Sequence, residues 1–372
     1  MVPVLALGRA TRTPATLDAL RVHVRANAER RPGVYELLDE GGSIFYVGKA
    51  KNLRARLLSY FTAPWPDSKS ARLIRAATTI RWRYVPSEFA ALLEELRLIK
   101  RLRPYRNVHG NRTARQTVFV KLTAGPAPKL RLTTRTADPE ARYYGPFRGS
   151  GRAAAALRVV DDVLGLRDCA RDRPMVFGDQ VDFFAAPLAP GCLRHDFGTC
   201  LGPCAARCSA DRYDQAVRLA VDFLEGRTAE PIGKVLEVMS DAAEQADFER
   251  AAVWREKLEA VEWLFGAVAR LATALDALSF VYVVRDATGH RDDRVYLIRR
   301  GLVLAEAPLP RTPIERLAFA ASVERHADSP APALVARSAT EMDQILLVTS
   351  WFRQHSEAFE ATSPYAGWLA GH

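Results

Sequence analysis

Two strand-like runs meet at a pair of adjacent glycines, and this constrains the first third of the chain more than any other feature. Gly33-Val34-Tyr35-Glu36-Leu37-Leu38 reads as a strand, Gly41-Gly42 as a tight turn, and Ser43-Ile44-Phe45-Tyr46-Val47 as the returning strand. Such runs joined by Gly-Gly predict an antiparallel hairpin, because glycine enters the φ > 0 region that hairpin turns need. Residues 51–61 follow as a helix, with Leu53, Leu57 and Tyr60 at i, i+4 and i+7 on its buried face. Residues 79–86 predict a third strand. Residues 88–102 predict a helix that Ser87 caps and Pro104 ends. Residues 28–110 therefore form one compact unit, preceded by an extension, 1–27.

Further along, 111–168 is strand-like and turn-rich, contains Tyr143-Tyr144-Gly145-Pro146-Phe147, and closes with a helix over 151–164. A cysteine-bearing region, 169–232, includes a Pro-containing loop (171–191) and a helix over 211–225. Residues 233–268 read as two helices, 234–246 and 248–265, meeting at Asp247, an N-cap for the second. The remainder, 269–372, reads as strands over 278–284 and 294–305, a Pro-rich stretch and a helix over 341–356. The fold class expected is α+β and multidomain: a small three-stranded antiparallel sheet with flanking helices, a cysteine-cluster domain, a helical hairpin and a C-terminal α+β segment.

Apolar residues at 48 % supply enough material for a buried core, while 22 Gly and 22 Pro are too few for a collagen-like or wholly disordered chain. No apolar run approaches the roughly 18 residues a membrane span needs, and the opening Met-Val-Pro-Val-Leu-Ala-Leu-Gly-Arg places its charge after the apolar stretch, the wrong order for a secretory signal. These features predict a cytoplasmic protein without a membrane partner, and a monomer is expected. Charge is segregated. Residues 1–110 hold 20 Lys+Arg against 9 Asp+Glu, whereas 111–372 hold 33 against 34. A basic domain on an otherwise neutral chain is the electrostatic footprint of a polyanion binder, DNA above all. Lys51, Arg54, Arg97, Lys100, Arg101, Arg103 and Arg106 are the candidate phosphate contacts.

The helix 88–102 carries a carboxylate in an unexpected place. At 100° per residue, Phe89, Leu92, Leu93, Leu96 and Ile99 make an apolar face that Leu98 and Leu102 widen. Glu94 falls on the polar side, beside Arg97 and Arg101. Glu95 falls inside the apolar arc, where a carboxylate is costly unless a cation, a metal or a raised pKa compensates it. Nearby lie Tyr35 and Tyr46, one on each hairpin strand, Lys49 after the second strand, Arg56 and Tyr60 one turn apart on a helix, and Asn107. Phenols, a lysine, an arginine and one carboxylate suit phosphodiester hydrolysis. The carboxylate holds a divalent cation, the guanidinium meets the developing charge, and a phenol takes a proton from water.

The five cysteines, Cys169, Cys192, Cys200, Cys204 and Cys208, all fall within 40 residues. An odd count in a cytosolic chain argues against a disulfide framework and for metal. The spacing lacks the C-x2-C knuckles of zinc ribbons, so the first four thiols suit either Zn2+ or a [4Fe–4S] cluster. Cys208 is left as a buried free thiol, and His195 as a packing or phosphate-contacting residue.

Gly33-Val34-Tyr35, Tyr46-Val47-Gly48-Lys49-Ala50-Lys51-Asn52-Leu53, Arg56 and Glu95 together resemble the GIY-YIG nuclease domain, and more narrowly that of the UvrC/Cho family, with Val in place of Ile in both signature triplets. Tyr143-Tyr144-Gly145-Pro146-Phe147 resembles that family's YxGPF element, Cys192 to Cys204 its cysteine region, and Asp247-Phe248-Glu249-Arg250-Ala251-Ala252 its UVR helical hairpin. The resemblance spans roughly residues 28–268. It implies Tyr46, or alternatively Tyr35, as general base tuned by Lys49. It further implies Arg56 on the pentavalent phosphate, Tyr60 and Asn107 completing the site, and Glu95 as the ligand of one Mg2+ or Mn2+. It also implies a [4Fe–4S] cluster on Cys169, Cys192, Cys200 and Cys204, and UvrB as a partner of residues 234–265 through Phe248, Glu249, Arg250 and Trp254. The family's RNase H-like and helix-hairpin-helix regions have no counterpart here. The function implied is therefore a structure-directed incision 3′ of a DNA lesion in excision repair. The alternatives are an idle adaptor on DNA and UvrB, and a UvrB-independent nuclease on branched or damaged DNA.

Overall fold

The computed structural model describes residues 14–107, 117–170, 172–180, 192–286, 289–290, 292–327 and 336–370. The opening segment 1–13, residues 111–116 of the first connector and most of the Pro-containing loop lie outside these. Contacts divide the chain into two units. One is built from described residues within 1–109, 278–328 and 343–372, the other from those within 110–277 and 329–342.

The first unit begins with a helix where an extension was expected: α1, Pro14–Asn27. Its Leu20 and Val24 are buried in the same core as Leu37, Phe45, Leu53, Leu57 and Trp82. Its polar residues mask a two-point apolar contact too sparse to read as a stripe. The hairpin is present as β1, Gly33–Leu38, and β2, Ile44–Ala50, paired antiparallel with Tyr35 opposite Gly48 and Leu37 opposite Tyr46. Its turn is held by Asp39, whose Oδ1 accepts from the backbone of Gly41 at 3.0 Å and of Ser43 at 2.9 Å. Helix α2, Leu53–Phe61, is capped by Asn52 and buries Leu53, Leu57 and Tyr60 as the spacing requires. A further helix, α3, Lys69–Ala76, was not expected. Strand β3, Thr79–Tyr84, pairs with the other side of β1, giving the sheet order β2-β1-β3.

Helix α4, Glu88–Leu102, is capped by Ser87 and ends at Arg103, whose φ of 46° turns the chain into Pro104. Its apolar arc is wide because it covers two cores. Leu98, Ile99 and Leu102 pack on Val34 and Val47 of the hairpin. Phe89 and Leu93 pack instead among Phe280, Tyr282, Tyr296, Ile298, Val348 and Phe352, from the C-terminal part of the chain.

The second unit holds β4, Thr117–Leu122, β5, Leu130–Thr133, and β6, Arg142–Arg148, in the antiparallel order β5-β4-β6. Helix α5, Ser150–Leu164, follows, then the one-turn α6, Leu193–Asp196, and α7, Ala210–Leu224. The helical pair is present as α8, Glu230–Glu244, and α9, Phe248–Asp276, with Asp247 accepting from the Arg250 backbone at 3.1 Å. Helix α9 runs well past the expected end. The periodic Val261, Leu264, Val268, Ala272 and Leu275 stay buried, so the division drawn at 268/269 falls inside an unbroken helix, and that at 232/233 falls inside α8.

The chain then rejoins the first unit. The expected strand over 294–305 is two strands, β8, Arg294–Arg299, and β9, Leu302–Pro308, which follow β7, Phe280–Val284. They turn at Arg300 and Gly301, both at positive φ, and an arginine there gives no turn signal in sequence. Helix α10, Pro313–Ala327, occupies part of the stretch read as Pro-rich, and α11, Ala339–Gln354, is the expected closing helix. A short β10, Thr362–Ser363, completes the sheet order β10-β7-β8-β9, and α12, Tyr365–Ala370, buries Trp368. Among the described residues no helix is long and apolar enough to cross a membrane.

Candidate active site

The hairpin brings Tyr35 and Tyr46 together, their ring centroids 6.3 Å apart, and α2 adds Tyr60 and Arg56. The Tyr35 phenol crosses the backbone of β2 at Gly48, where a Cβ would lie 2.4 Å from the Tyr35 hydroxyl. Only glycine leaves that path open. Tyr35 and Tyr60 are both about 1 % exposed, and their hydroxyls share a hydrogen bond of 2.6 Å. Arg56 donates from Nε to the Tyr35 hydroxyl at 3.4 Å and from Nη2 to that of Tyr60 at 3.5 Å. A guanidinium can only donate, so both phenol oxygens accept from it. Burial pushes the Tyr35 phenol up to about 12, against the pull of Tyr60 and Arg56, and carries Tyr60 higher still.

Tyr46 differs in being only half-buried. It too is pushed well above the usual phenol range, first by burial, then by its neighbours Tyr60 and Glu95, with Arg56 opposing. The ammonium that lies over the Tyr46 ring, 5.5 Å from its centroid, belongs to Lys69 at the start of α3. Sequence reasoning missed Lys69 because its helix was not recognised. The lysine expected to tune the phenol, Lys49, instead donates from Nζ to Glu88 Oε1 at 2.8 Å. That contact holds Glu88 below the usual carboxylate range, with Lys51 and His355 assisting. An acidic residue in the first turn of a helix is ordinary, so nothing in the sequence marked Glu88.

Glu95 sits on α4 beneath the hairpin, on the stripe that continues into Leu98 and Leu102. Burial raises its carboxyl to about 7, opposed by the Lys49 ammonium, the Lys49 backbone N–H and Arg56. It is thus a carboxylate raised toward neutrality, close to the Tyr46 phenol and under the influence of two cations. Asn107 does not face this cluster. Its Oδ1 accepts from the Val47 backbone N–H at 2.8 Å, and its Nδ2 donates to the Val47 carbonyl at 2.8 Å. The amide clamps β2 between Tyr46 and Gly48, which makes it a support for the site.

The basic candidates divide. Arg97 pairs with Glu94 and Glu306, and Lys100 pairs with Asp343. Arg54 donates to the Ala28 carbonyl at 3.1 Å. Arg106 lies over the rings of Phe45 and Tyr105 at 5.7 and 5.9 Å. Lys51, Arg101, Arg103 and Arg106 are exposed.

In the second unit, Cys169, Cys192, Cys200 and Cys204 line one cavity together with Arg167, Asp168, Arg173, Arg194 and Pro203. Cys208 is buried outside it, its thiol pushed up to about 11 by burial. His195 directs Nδ1 to the Cys200 carbonyl at 3.1 Å, a packing contact. Among the described residues no group of three or more His, Cys, Asp or Glu converges on a single metal-ion position. On α9, Phe248 is 72 % exposed and the Lys257 ammonium lies 4.0 Å from the Trp254 ring centroid.

A three-stranded antiparallel sheet that presents two facing phenols, an Arg–Tyr helix and a glutamate on the supporting helix defines a domain of the GIY-YIG class. Residues 31–108 match the UvrC-like GIY-YIG domain and residues 117–223 the UvrC/Cho excinuclease middle domain, so the chain carries both in that order. The UvrABC system protein C of Dictyoglomus thermophilum is 35 % identical over 237 residues, 63 % of this chain and 37 % of that protein. That of Gemmatimonas aurantiaca is 36 % identical over 233 residues, 62 % and 36 % of the two chains. The chain spans roughly two fifths of the curated relatives it matches. The magnesium-bound GIY-YIG N-terminal endonuclease domain of UvrC from Thermotoga maritima is 36 % identical, covering 23 % of this chain and 97 % of that one at a TM-score of 0.21.

Proposed function

We propose that this chain is a divalent-metal-dependent DNA endonuclease of nucleotide excision repair that hydrolyses one phosphodiester on the 3′ side of a lesion. The observation that carries this reading is Glu95, a carboxylate set among apolar neighbours beside the phenols and pushed to the edge of neutrality. The donor set fits a hard cation, since one carboxylate with open positions around it suits Mg2+ or Mn2+ bound largely through water and substrate phosphate. When bound, that ion supplies Lewis-acid stabilisation of the leaving oxygen.

The remaining chemistry belongs to the chain's own residues. Tyr35 and Tyr60 are sealed from solvent and fix the Arg56 guanidinium, whose remaining N–H groups meet the charge that develops on the phosphoryl oxygens. Tyr46 keeps solvent access, which makes it the phenol that could pass its own proton to solvent once a cation sits nearby and, as the phenolate, would then take a proton from an attacking water. Lys49, held by Glu88, keeps positive charge at the rim without sitting on the base. Asn107 fixes the strand from which Tyr46 and Lys49 project.

In the second unit the four thiols that line one cavity support a [4Fe–4S] cluster, with a zinc ion as the alternative. A zinc site gathers its ligands around one tetrahedral point, whereas a cubane takes one thiolate at each iron and needs them spread around a cavity. Arg167 Nη1 donates to the Cys169 sulfur at 3.4 Å. The exposed Phe248 beside Glu249, Arg250 and Trp254 supports docking of the acidic hairpin on UvrB, and Lys51, Arg101, Arg103 and Arg106 support DNA contact. Such a chain works in the cytoplasm. The test is a lesion-bearing duplex incubated with the protein, with and without UvrB and magnesium, and the cut mapped to the nucleotide. Magnesium-dependent nicking that Glu95→Ala abolishes upholds the reading; nicking at the wild-type rate by that variant overturns it.

A further inference from the structure

Segment 62–68 and helix α3 contribute nothing to the reading above except Lys69, yet their surface is built in a particular way. Trp65 is 54 % exposed, and the Arg75 guanidinium lies 4.6 Å from the centroid of its ring. The turn that carries the indole is fixed by Arg72, whose Nη1 donates to the Pro66 carbonyl at 3.1 Å and to that of Asp67 at 3.4 Å. Ala71, Leu73 and Ile74 anchor the helix through its other side. Lys69, Arg72 and Arg75 recur every third residue and are all exposed, while Asp67 is the one acidic residue in 62–76. The stripe has two ends. Lys69 lies over the Tyr46 ring, and Arg75 lies over Trp65.

We propose that this face of α3 is the path of the strand being cut, and that Trp65 stacks on an unpaired base of that strand. The inference rests on the endonuclease reading and adds the class of DNA it takes. Three cations in a row beginning at the candidate base match a run of phosphates, the dominant source of DNA affinity. An indole more than half exposed, with a guanidinium over its ring, offers a platform for a second planar group, and aromatic side chains on a cationic track bind single strands in this way. A duplex hides its base faces in the stack, so only a base already out of the helix can use the platform. From Lys69 to Arg75 the helix rises about 9 Å, or two to three base steps of about 3.4 Å. The base engaged therefore lies about two to three nucleotides from the scissile phosphate.

The experiment uses the full chain, with 2-aminopurine placed one to four nucleotides from the cut in two duplexes, one with those bases unpaired and one fully paired. Binding is read in EDTA and nicking in magnesium. Wild type should quench 2-aminopurine most strongly two to three nucleotides out, in the unpaired duplex alone. Trp65→Ala should remove that quench and weaken binding to the unpaired duplex by at least about fivefold, leaving the paired duplex unaffected, while Trp65→Phe keeps part of the effect. Arg75→Gln should lower the salt slope for both duplexes by about one unit. Trp65 is exposed, so circular dichroism should show the fold intact. Equal binding by wild type and Trp65→Ala, or equal weakening on both duplexes, overturns the proposal. If wild type binds as described but nicks neither duplex in magnesium, with UvrB or without it, the stacking stands and the endonuclease reading falls.

Discussion

Glu95 illustrates how one side chain couples burial to chemistry. Its carboxyl rises from 4.5 to about 7 because burial disfavours the charged form. Between those values the folded chain binds a proton that the unfolded chain has released, so the group's contribution to stability falls as pH rises through the window. Metal-free Glu95→Gln should therefore lose less stability than wild type between about pH 5 and about pH 8, by on the order of 1–3 kcal/mol, since some solvent access reduces the full effect. Thermal melts across that range check the sign; parallel curves for the two proteins would contradict it. The same ionisation makes the anion that attracts a cation, so Mn2+ affinity should climb over the same pH range in wild type and stay flat in the variant. Gly48 is a second residue whose role is purely spatial. Gly48→Ala forces the Tyr35 phenol off its path and should lower nicking more than tenfold with the far-ultraviolet spectrum retained.

Among the elements, α4 and β2 do the most. Ser87 caps α4 by accepting from the Ala90 backbone N–H at 3.1 Å, and Ser87→Ala should cost about 1 kcal/mol. Asn107 replaces a missing strand neighbour for β2, supplying both a donor and an acceptor to Val47. Asn107→Ala leaves two buried backbone groups unpaired, so it should lower the melting temperature and the turnover together while Mn2+ affinity barely changes. A large, selective loss of metal affinity would place Asn107 in the site itself. Lys100 and Arg97, tied to Asp343 and to Glu306, should contribute little to the salt dependence of DNA binding. Gln in place of Lys100 should leave the slope near its wild-type value, whereas Gln in place of Lys51 or Arg101 should reduce it by about one unit.

On the scale of the whole chain, the second core on α4 ties the C-terminal segment to the nuclease helix. Phe89 meets Tyr282 and Tyr296 edge-to-face at 5.3 and 5.0 Å and is fully buried. Phe89→Ala should cost about 3–5 kcal/mol, and a chain cut before Leu278 should expose Phe89 and Leu93 and aggregate. In the second unit, anaerobic purification should give a brown protein with a broad charge-transfer band. A colourless protein with one zinc per chain would refute the cluster.

The sequence by itself determined what is local. Alternation and the Gly41-Gly42 turn specified the hairpin, and Ser87 and Asp247 specified helix starts through their own side chains. Helical phase alone put Glu95 on the buried stripe. Periodicity reports which side of an element turns inward and nothing about what it meets, and the tertiary structure decided that part. It paired Lys49 with Glu88, turned Asn107 onto Val47, laid Lys69 over Tyr46, and drew four thiols up to 35 residues apart around one cavity. It also gave α4 its second apolar face, whose partners, Phe280 to Phe352, lie far along the chain from Phe89. Contacts of that range depend on shape and charge brought together by folding, and no local pattern encodes them.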